Sequence, residues 1–573
     1  MLTARGIALS LEHHLFRKQH ALLGRVLPRG IQVNVRRHAR AALLSWESRR
    51  YRAWMHSHLE RRRMLYAHPL ERGLLSVLTP VWNGSPVQYL KALAQSLIDQ
   101  NQSGASEWVI LDNGSTNVEL RSYLESLSVH PWVKLNRTDR NLGIVLGLRL
   151  CLERASGRYV LPVDADDWLY PDCLQVVSSW IHKLQFPRLL YTDEDKLLGS
   201  QPIQPYFKPD FDPVLLLNSA YIAHLGVIDR ETALNLNVYS DPDTEGSADW
   251  DLFVRFLLAG HSAAHIPEVV YSWRMHASST AEDALHKPYI HNSQRAVLQR
   301  YLDGSSHSDD YSVEYSPLLP GSADWWLRPR RNKARPLLIA VLTHSDAPKP
   351  GQKPKFSFDY PDVRWEFVSI HSHPHSLDGL CETLSDPDGF ICFLAQDIES
   401  IDCSDWVWEA IGLAELHPET VMVGGRIRNK KRIITAAGFQ FGFDGPCGCP
   451  DRGRSAIDRG YFAQMFKERS VSAVSTQFAV IRADFLCDLL RNGLAPQSSI
   501  PFLGAWAGAY ALRTGKRVVY SPFLSAVSDV DWETLSGPEE KQAFLGRNRD
   551  LIPDRRFYPR YFSLHGTEAY QIA

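Results

Sequence analysis

The chain has 573 residues, enough for about three to four domains of ordinary size. With a formal net charge of −1, 44% hydrophobic and 22% charged residues, it has the profile of a globular protein, which excludes a disordered chain and, by overall charge, a nucleic-acid binder. No apolar run reaches the roughly eighteen residues that a spanning helix needs. The apolar stretch 7–11 is too short for a secretory signal and is interrupted by Glu12, His13 and His14, so a cytoplasmic protein is expected. Its eight cysteines form no Cys-x-x-Cys, and Cys447 and Cys449 lack companion ligands, so reduced thiols are expected.

Residues 1–72 stand apart as a basic helical arm, with fourteen Lys and Arg against three Glu in residues 1–63. Leu11, Leu15, Leu22, Leu23 and Val26 approximate one helical face, and such a basic amphipathic segment suits an anionic membrane surface or packing on the next domain, with a mitochondrial transit peptide a less favoured third reading. From residue 74 the pattern becomes regular. Strands are predicted at 74–79, 107–111 and 133–136, with helices at 87–100, 118–127 and 141–155 between and after them. This alternation with short joints argues for a largely parallel α/β sheet.

The next strand, 159–163, runs directly into Asp164, Asp166 and Asp167. A buried parallel strand ending in acids sets them at the sheet's carboxyl edge, where open α/β sheets bind ligands. Crowded carboxylates repel unless a cation lies between them, and Asp-x-Asp suits magnesium or manganese held together with a substrate phosphate. Taken alone, the pattern is better read as a polar strand-to-turn junction with Asp as helix cap, by about two to one. Other polar strand ends share that edge: Pro80, Trp82 and Asn83, then Asp112 and Asn113, then Asn141 and Gly143. The set suits a nucleotide diphosphate, and no Gly-x-Gly-x-x-Gly or P-loop is present to suggest another nucleotide fold.

Further along, 189–196 reads as a strand ending in Asp193, Glu194 and Asp195, and 205–210 as an aromatic, proline-rich loop. Carboxylates beside aromatics form a sugar-binding surface or ordinary loop packing. Asp249 and Asp251 fall in the first turn of a predicted helix, where Asp is also a favourable dipole partner. A final strand, 265–276, carries Trp273, Arg274 and His276. There Arg274 can meet a phosphate and His276 can ligate a metal.

Together these stretches resemble the family-two inverting glycosyltransferases of the GT-A fold, and most closely the bacterial enzymes of surface-polysaccharide and O-antigen synthesis. The resemblance covers 73 to about 300 and rests on eight motifs in order, from Ser76-Val77-Leu78-Thr79-Pro80-Val81-Trp82-Asn83 through Asp164-Ala165-Asp166-Asp167 to Tyr271-Ser272-Trp273-Arg274. It implies a divalent metal, Mn or Mg, on Asp164 and Asp166, with Asp166 the more direct ligand. It implies a nucleotide-sugar donor whose nucleoside faces Asp112 and Asn113, with Pro80, Trp82, Asn83, Asn141 and Gly143 alongside. Trp273, Arg274 and His276 would close over the diphosphate, and Asp249 would be the catalytic base. Asp193, Asp195 and Asp251 are the acceptor-side candidates. The acceptor would be a glycan, lipid-linked at the cytoplasmic membrane face, and no nucleic acid is implied.

Residues 305–335 read as a polar linker, 336–545 as a second, degenerate GT-A-like domain, and 546–573 as a tail, leaving 73–304 as the catalytic domain. In the second domain Ala395 stands where the first metal acid would be, and Ala507 where the catalytic Asp would be. Two other readings remain: a non-catalytic glycan-binding or scaffold protein, and a nucleotidyltransferase.

Overall fold

The computed structural model of the chain describes residues 48–275, 288–344, 356, 359–361, 363–371, 377–384, 386, 388–492 and 499–573. Helix α1, 48–65, leads into a nine-stranded sheet. Its strands are β1 (Leu75–Val81), β2 (Glu107–Asn113), β3 (Val133–Thr138), β4 (Tyr159–Pro162), β5 (Trp168–Leu169), β6 (Leu189–Leu198), β7 (Gln201–Tyr206), β8 (Gly226–Asp229) and β9 (Ala264–Met275). The order is β3-β2-β1-β4-β8-β6-β9-β5, with β7 added to β6. Helices Val87–Gln100, Val118–Leu127, Gly143–Arg154 and Ala248–Leu258 cover it. Two apolar cores lie on its faces, one around Leu78, Val109 and Trp250 and the other around Val77, Leu161 and Tyr271.

The parallel half, β3-β2-β1-β4, follows from the alternating pattern. The sheet then becomes mixed, because β8 enters antiparallel between β4 and β6. Its four residues, Gly-Val-Ile-Asp, are too few to show periodicity in the sequence.

A hairpin, β10 (Tyr311–Tyr315) with β11 (Trp325–Pro329), replaces the expected polar linker. Its apolar residues Trp325, Trp326 and Leu327 are buried. Trp325 Nε1 donates to Gln294 on one side, and Trp326 Nε1 donates to Glu409 on the other, at 2.9 and 3.0 Å. The connection is therefore a packed strut between two halves.

The second sheet comprises β12 (Leu337–Thr343), β13 (Val363–Ser369), β14 (Phe390–Ala395), β15 (Ser400–Ile401), β16 (Thr420–Arg428), β17 (Ile434–Ala437), β20 (Arg469–Val471), β21 (Phe478–Arg482) and β22 (Arg517–Val527). A short ribbon, β18 (Gln440–Phe441) with β19 (Cys447–Gly448), lies apart from it. The order β13-β12-β14-β21-β16-β22-β15 repeats β2-β1-β4-β8-β6-β9-β5, with the same parallel and antiparallel pairings at every step. Even the edge ribbons match, since β17 joins β16 as β7 joins β6. Cys381 and Cys487 form a disulfide on this unit's helical face, whereas the sequence reading expected only free thiols. Their spacing of 106 residues gives no local signal, and the fold brings them together.

The two halves share buried polar contacts. Asp212, 1% exposed, accepts from Ser470 N at 2.6 Å and from Ser470 Oγ at 2.7 Å. Helix α1 and the C-terminal residues close over the first sheet. Trp54 meets Tyr561 edge-on at 4.8 Å, and Arg50 donates to Gln571. The part of the basic arm in residues 1–47 lies outside the described residues, whereas 48–65 packs on the protein. Among the described residues, no helix is long and apolar enough to cross a membrane.

Arg62 anchors α1. It is fully buried, donates twice to Asp172 at 2.6 and 2.7 Å, and donates once to Val269 O at 2.7 Å. Breaking a buried pair by removing one partner leaves an uncompensated charge, at a cost of about 3–5 kcal/mol. Arg62→Met should therefore lower the denaturant midpoint by a corresponding amount. Arg61→Ala, at an exposed neighbour, should leave it unchanged.

Candidate functional site

Four loops meet at the carboxyl edge of β1 to β4, and hydrogen bonds tie them together. Asn83, after β1, accepts from Thr116 N and Asn117 N at 2.9 and 3.0 Å. Asn113, the last residue of β2, accepts from Leu142 N at 3.0 Å and donates to Asn141 Oδ1 and Gly143 O at 3.1 and 2.9 Å. Gly143 lies at φ +84°, and a Cβ there would meet Glu245 Oε2 at 2.8 Å. Glu245 itself caps the helix Gly143–Arg154, accepting from Ile144 N and Val145 N. The sequence reading missed this residue, because its partner lies about a hundred positions away.

Two expected nucleoside contacts are thus engaged within the protein. Asp112 is fully buried, pairs with Arg137 at 2.7 Å and accepts from Ser115 N. Asn113 is 2% exposed and holds the loop that carries Asn141 and Gly143. Pro80 touches that same helix, its Cβ 3.1 Å from where a Cβ on Gly147 would sit. Trp82 is 45% exposed and remains available to a ligand.

The acidic turn follows β4. Asp164 faces the cleft, and its side chain is 55% exposed. Asp167 is buried, accepting from Tyr271 OH at 2.5 Å and Arg274 N at 2.8 Å. Arg274 also donates from Nε to Asp166 O at 2.7 Å and stacks over Tyr89 at 4.5 Å. Its first task is thus to hold the acidic turn against β9. Desolvation by the surrounding protein pushes the Asp164 and Asp167 carboxyls up, Asp164 adds repulsion to Asp167, and Asp166 adds repulsion to both.

His224 was not singled out in the sequence, where a lone His carries no signal. Its ring stacks on Tyr271 at 4.7 Å, with Nε2 3.9 Å from Asp164 Oδ2 and Nδ1 3.4 Å from Glu194 Oε2. Burial lowers its pKa, but Glu194, then Asp167 and Asp249, outweigh that and raise it to about 10. Burial likewise raises Glu194, and Lys208 and His224 more than reverse it, down to about 2. Lys208 is 1% exposed and donates to Thr192 O at 2.8 Å and Glu194 at 3.2 Å.

The ligand atoms of Asp164, Asp167 and His224 lie within 4.8 Å of one another. Asp166, expected as the more direct ligand, is not in this group, and His276 lies outside the described residues. The fit to a divalent cation is good at the oxygens, since Asp164 raises the pKa of Asp167 by repulsion and a cation between the two carboxylates would relieve it. His224 stands as an imidazolium and has no lone pair to give until it loses a proton.

Asp249 occupies the first turn of the helix Ala248–Leu258. Burial raises its pKa to about 7, opposed by His224 and reinforced by Asp164 and Glu194. It therefore sits within electrostatic reach of the acidic turn. The three acceptor-side candidates do other work. Asp193 accepts from Lys208 N and engages His265 at 2.9 Å. Asp195 is fully buried beneath Tyr51 OH and Tyr170 OH, each at 2.6 Å, and Ser272 Oγ. Asp251 binds Arg255 and Arg300 at 2.5 and 2.8 Å, tying its helix to the helix Pro288–Gly304.

The sequence is similar to that of known proteins. Residues 76–191, which span β1 to the start of β6, match the family model described as glycosyl transferase family 2. The uncharacterized protein y4gI of Sinorhizobium fredii is 25% identical over 72% of this chain and 48% of its own length. The O-antigen biosynthesis protein RfbC of Myxococcus xanthus is 28% identical over 66% of this chain and 31% of its own length. The chondroitin synthase of Escherichia coli is 25% identical over 36% of this chain and 30% of its own length. The chain thus spans about half or less of the length of these three relatives.

Manganese alone tests the acidic turn. Calorimetric titration should show binding to the wild type and at least a tenfold loss, about 1.4 kcal/mol, in Asp164→Asn. Asp193→Asn, away from the cluster, should bind as the wild type does.

Proposed function

We propose that this chain is a metal-dependent inverting glycosyltransferase that moves a sugar from a nucleotide-sugar to a glycan acceptor in surface-polysaccharide synthesis. The observation that carries this reading is Asp249, a carboxylate with its pKa raised to about 7, sharing one electrostatic environment with Asp164 and His224. The family-two match and a relative named for O-antigen biosynthesis support it.

The chemistry follows from the positions. Asp249 accepts the proton of the acceptor hydroxyl while that oxygen attacks the sugar's anomeric carbon. The bond from that carbon to the diphosphate breaks on the opposite face, and its electron pair leaves with the nucleotide. Mg or Mn, when bound by Asp164 with Asp166, Asp167 and His224 at hand, supplies charge neutralisation at the departing diphosphate. Arg274 and Tyr271 keep the acidic turn in place, and Trp273 borders the same cleft, its ring 5.7 Å from His224. No protein acid is required, which separates this arrangement from the carboxyl pair of glycoside hydrolysis.

The second unit reads as inert. The turn that closes from Asp167 N to Asp164 O in the first sheet closes from Ile398 N to Ala395 O in the second, so Ala395 takes the place of Asp164. The remaining acid, Asp397, is satisfied by Gln477, Ser528 and Trp532 at 2.6, 2.5 and 3.1 Å. The helix ends match at Ala259 and Thr514; ten residues earlier stand Asp249 and Gly504. Gly504, rather than Ala507, therefore occupies the base position. A Cβ there would meet Val474 O at 2.0 Å, so the helix is pressed onto backbone where the first unit keeps a cleft.

Asp249→Asn should lower kcat for transfer, or for donor hydrolysis without acceptor, by about 10²–10⁴-fold with donor binding retained. Wild-type rate should rise with pH through about 7, because the carboxyl must lose its proton before it can act. Full activity in Asp249→Asn would refute the assignment. A nucleotidyltransferase would instead release diphosphate from a nucleoside triphosphate.

A further inference from the structure

A cavity of about 330 Å³ adjoins the reaction cleft, sharing Glu194 and Trp273 with it. Its walls come from three parts of the chain. The first sheet contributes Lys196, Gln204 and Tyr206, the loop before β8 contributes Tyr221, the hairpin contributes Ala323 and Asp324, and the second unit contributes Phe462. This mixture, mostly apolar with a few polar groups and near the low end of small-molecule pocket volumes, is the kind that binds organic ligands.

Phe462 is placed with care. Its ring stacks on Tyr206 at 3.7 Å between centroids, yet 42% of the residue stays exposed. Phe462 and Ala463 lie at φ 47° and 61°, and Gln204 across the cavity lies at φ 48°. Left-handed backbone costs a non-glycine residue of order 1–3 kcal/mol, persists where the surroundings over-determine it, and clusters at functional sites. The over-determination is visible here. Neighbouring Tyr461 accepts from Phe207 N at 2.9 Å and stacks on Tyr570 at 5.6 Å. Lys467 binds Asp324 at 2.9 Å and Ser219 Oγ at 3.0 Å, fixing the second unit to the other two walls.

We propose that this cavity is the acceptor subsite, in which a pyranose ring of the acceptor glycan lies against the Tyr206–Phe462 pair with its hydroxyls on Gln204, Lys196 and Asp324. The inference rests on the glycosyltransferase reading and deepens it. The inert unit then has a positive function: it completes the acceptor wall of the live one. An aromatic face suits the apolar face of a sugar ring, and the surrounding amide, ammonium and carboxylate match its equatorial hydroxyls.

The test uses the full chain and a panel of α- and β-methyl glycosides of glucose, galactose, rhamnose and N-acetylglucosamine, read by saturation-transfer difference NMR. Thermal shift with UDP, GDP or dTDP plus manganese reports the donor side and the integrity of each variant. At least one glycoside should show saturation transfer in the wild type. Its apparent Kd should weaken roughly fivefold in Phe462→Ala and recover in Phe462→Trp, with the nucleotide shift unchanged. Ala323→Trp, which fills the cavity from the opposite wall, should abolish the signal. An undiminished signal in Phe462→Ala and Ala323→Trp overturns the subsite. So does the absence of any signal in a wild type that binds a nucleotide. A wild type that binds no nucleotide overturns the glycosyltransferase reading and the subsite together.

Discussion

The first unit depends on how three aspartates are held within four positions after a short strand. The proton affinities of Asp164 and Asp167 are both raised, Asp164 with repulsion from Asp166, and Asp167 with repulsion from Asp164 and Asp166. The protein spends much of β9 on this turn: Tyr271 and the Arg274 amide fasten Asp167, and the Arg274 guanidinium fastens the Asp166 carbonyl. His224 and Lys208 then supply positive charge through Glu194, which is ionised because both surround it. Asp164 faces the cleft with its side chain 55% exposed.

The second sheet shows the same turn with the constraint removed. Its pairing order repeats that of the first, yet the leading acid is alanine, and the remaining one is satisfied by an amide, a hydroxyl and an indole. Neutral donors do there what a cation would do in the first unit. The cleft is lost at the helix too, where glycine lets the backbone close on a neighbouring carbonyl. The copy keeps its core and gives up its cavity. The segment from Tyr461 to Lys467 reaches across to the first unit, where Phe207 N donates to Tyr461 and Lys467 donates to Ser219.

The sequence made the fold legible because periodicity and turn residues are local. The parallel half of the first sheet, its helices and the acidic end of β4 all lie where alternation and strand-ending acids put them. Roles within the cleft were less legible. Asp193, Asp195 and Asp251 look like ligand groups in one dimension, but each is consumed by a partner 4 to 144 residues away, such as Arg255 for Asp251 and Tyr51 for Asp195. His224 shows the reverse: nothing near it in sequence marks it, and its charge comes from Glu194, Asp167 and Asp249 on three other elements.

Residue order alone determined the fold class, the position of the acidic strand end, the helix that carries Asp249, and the loss of an acid at Ala395. These follow from side-chain period and from residue identity at a strand terminus, both of which act over a few residues. Only the tertiary structure decided which carboxylates face the cleft, that His224 stands beside them as a cation, that the supposed linker is a tryptophan-packed hairpin, and that Phe462 of the second unit lines a cavity of the first. Burial and long-range Coulomb energy set those outcomes, and both depend on neighbours that the chain brings together only when it folds.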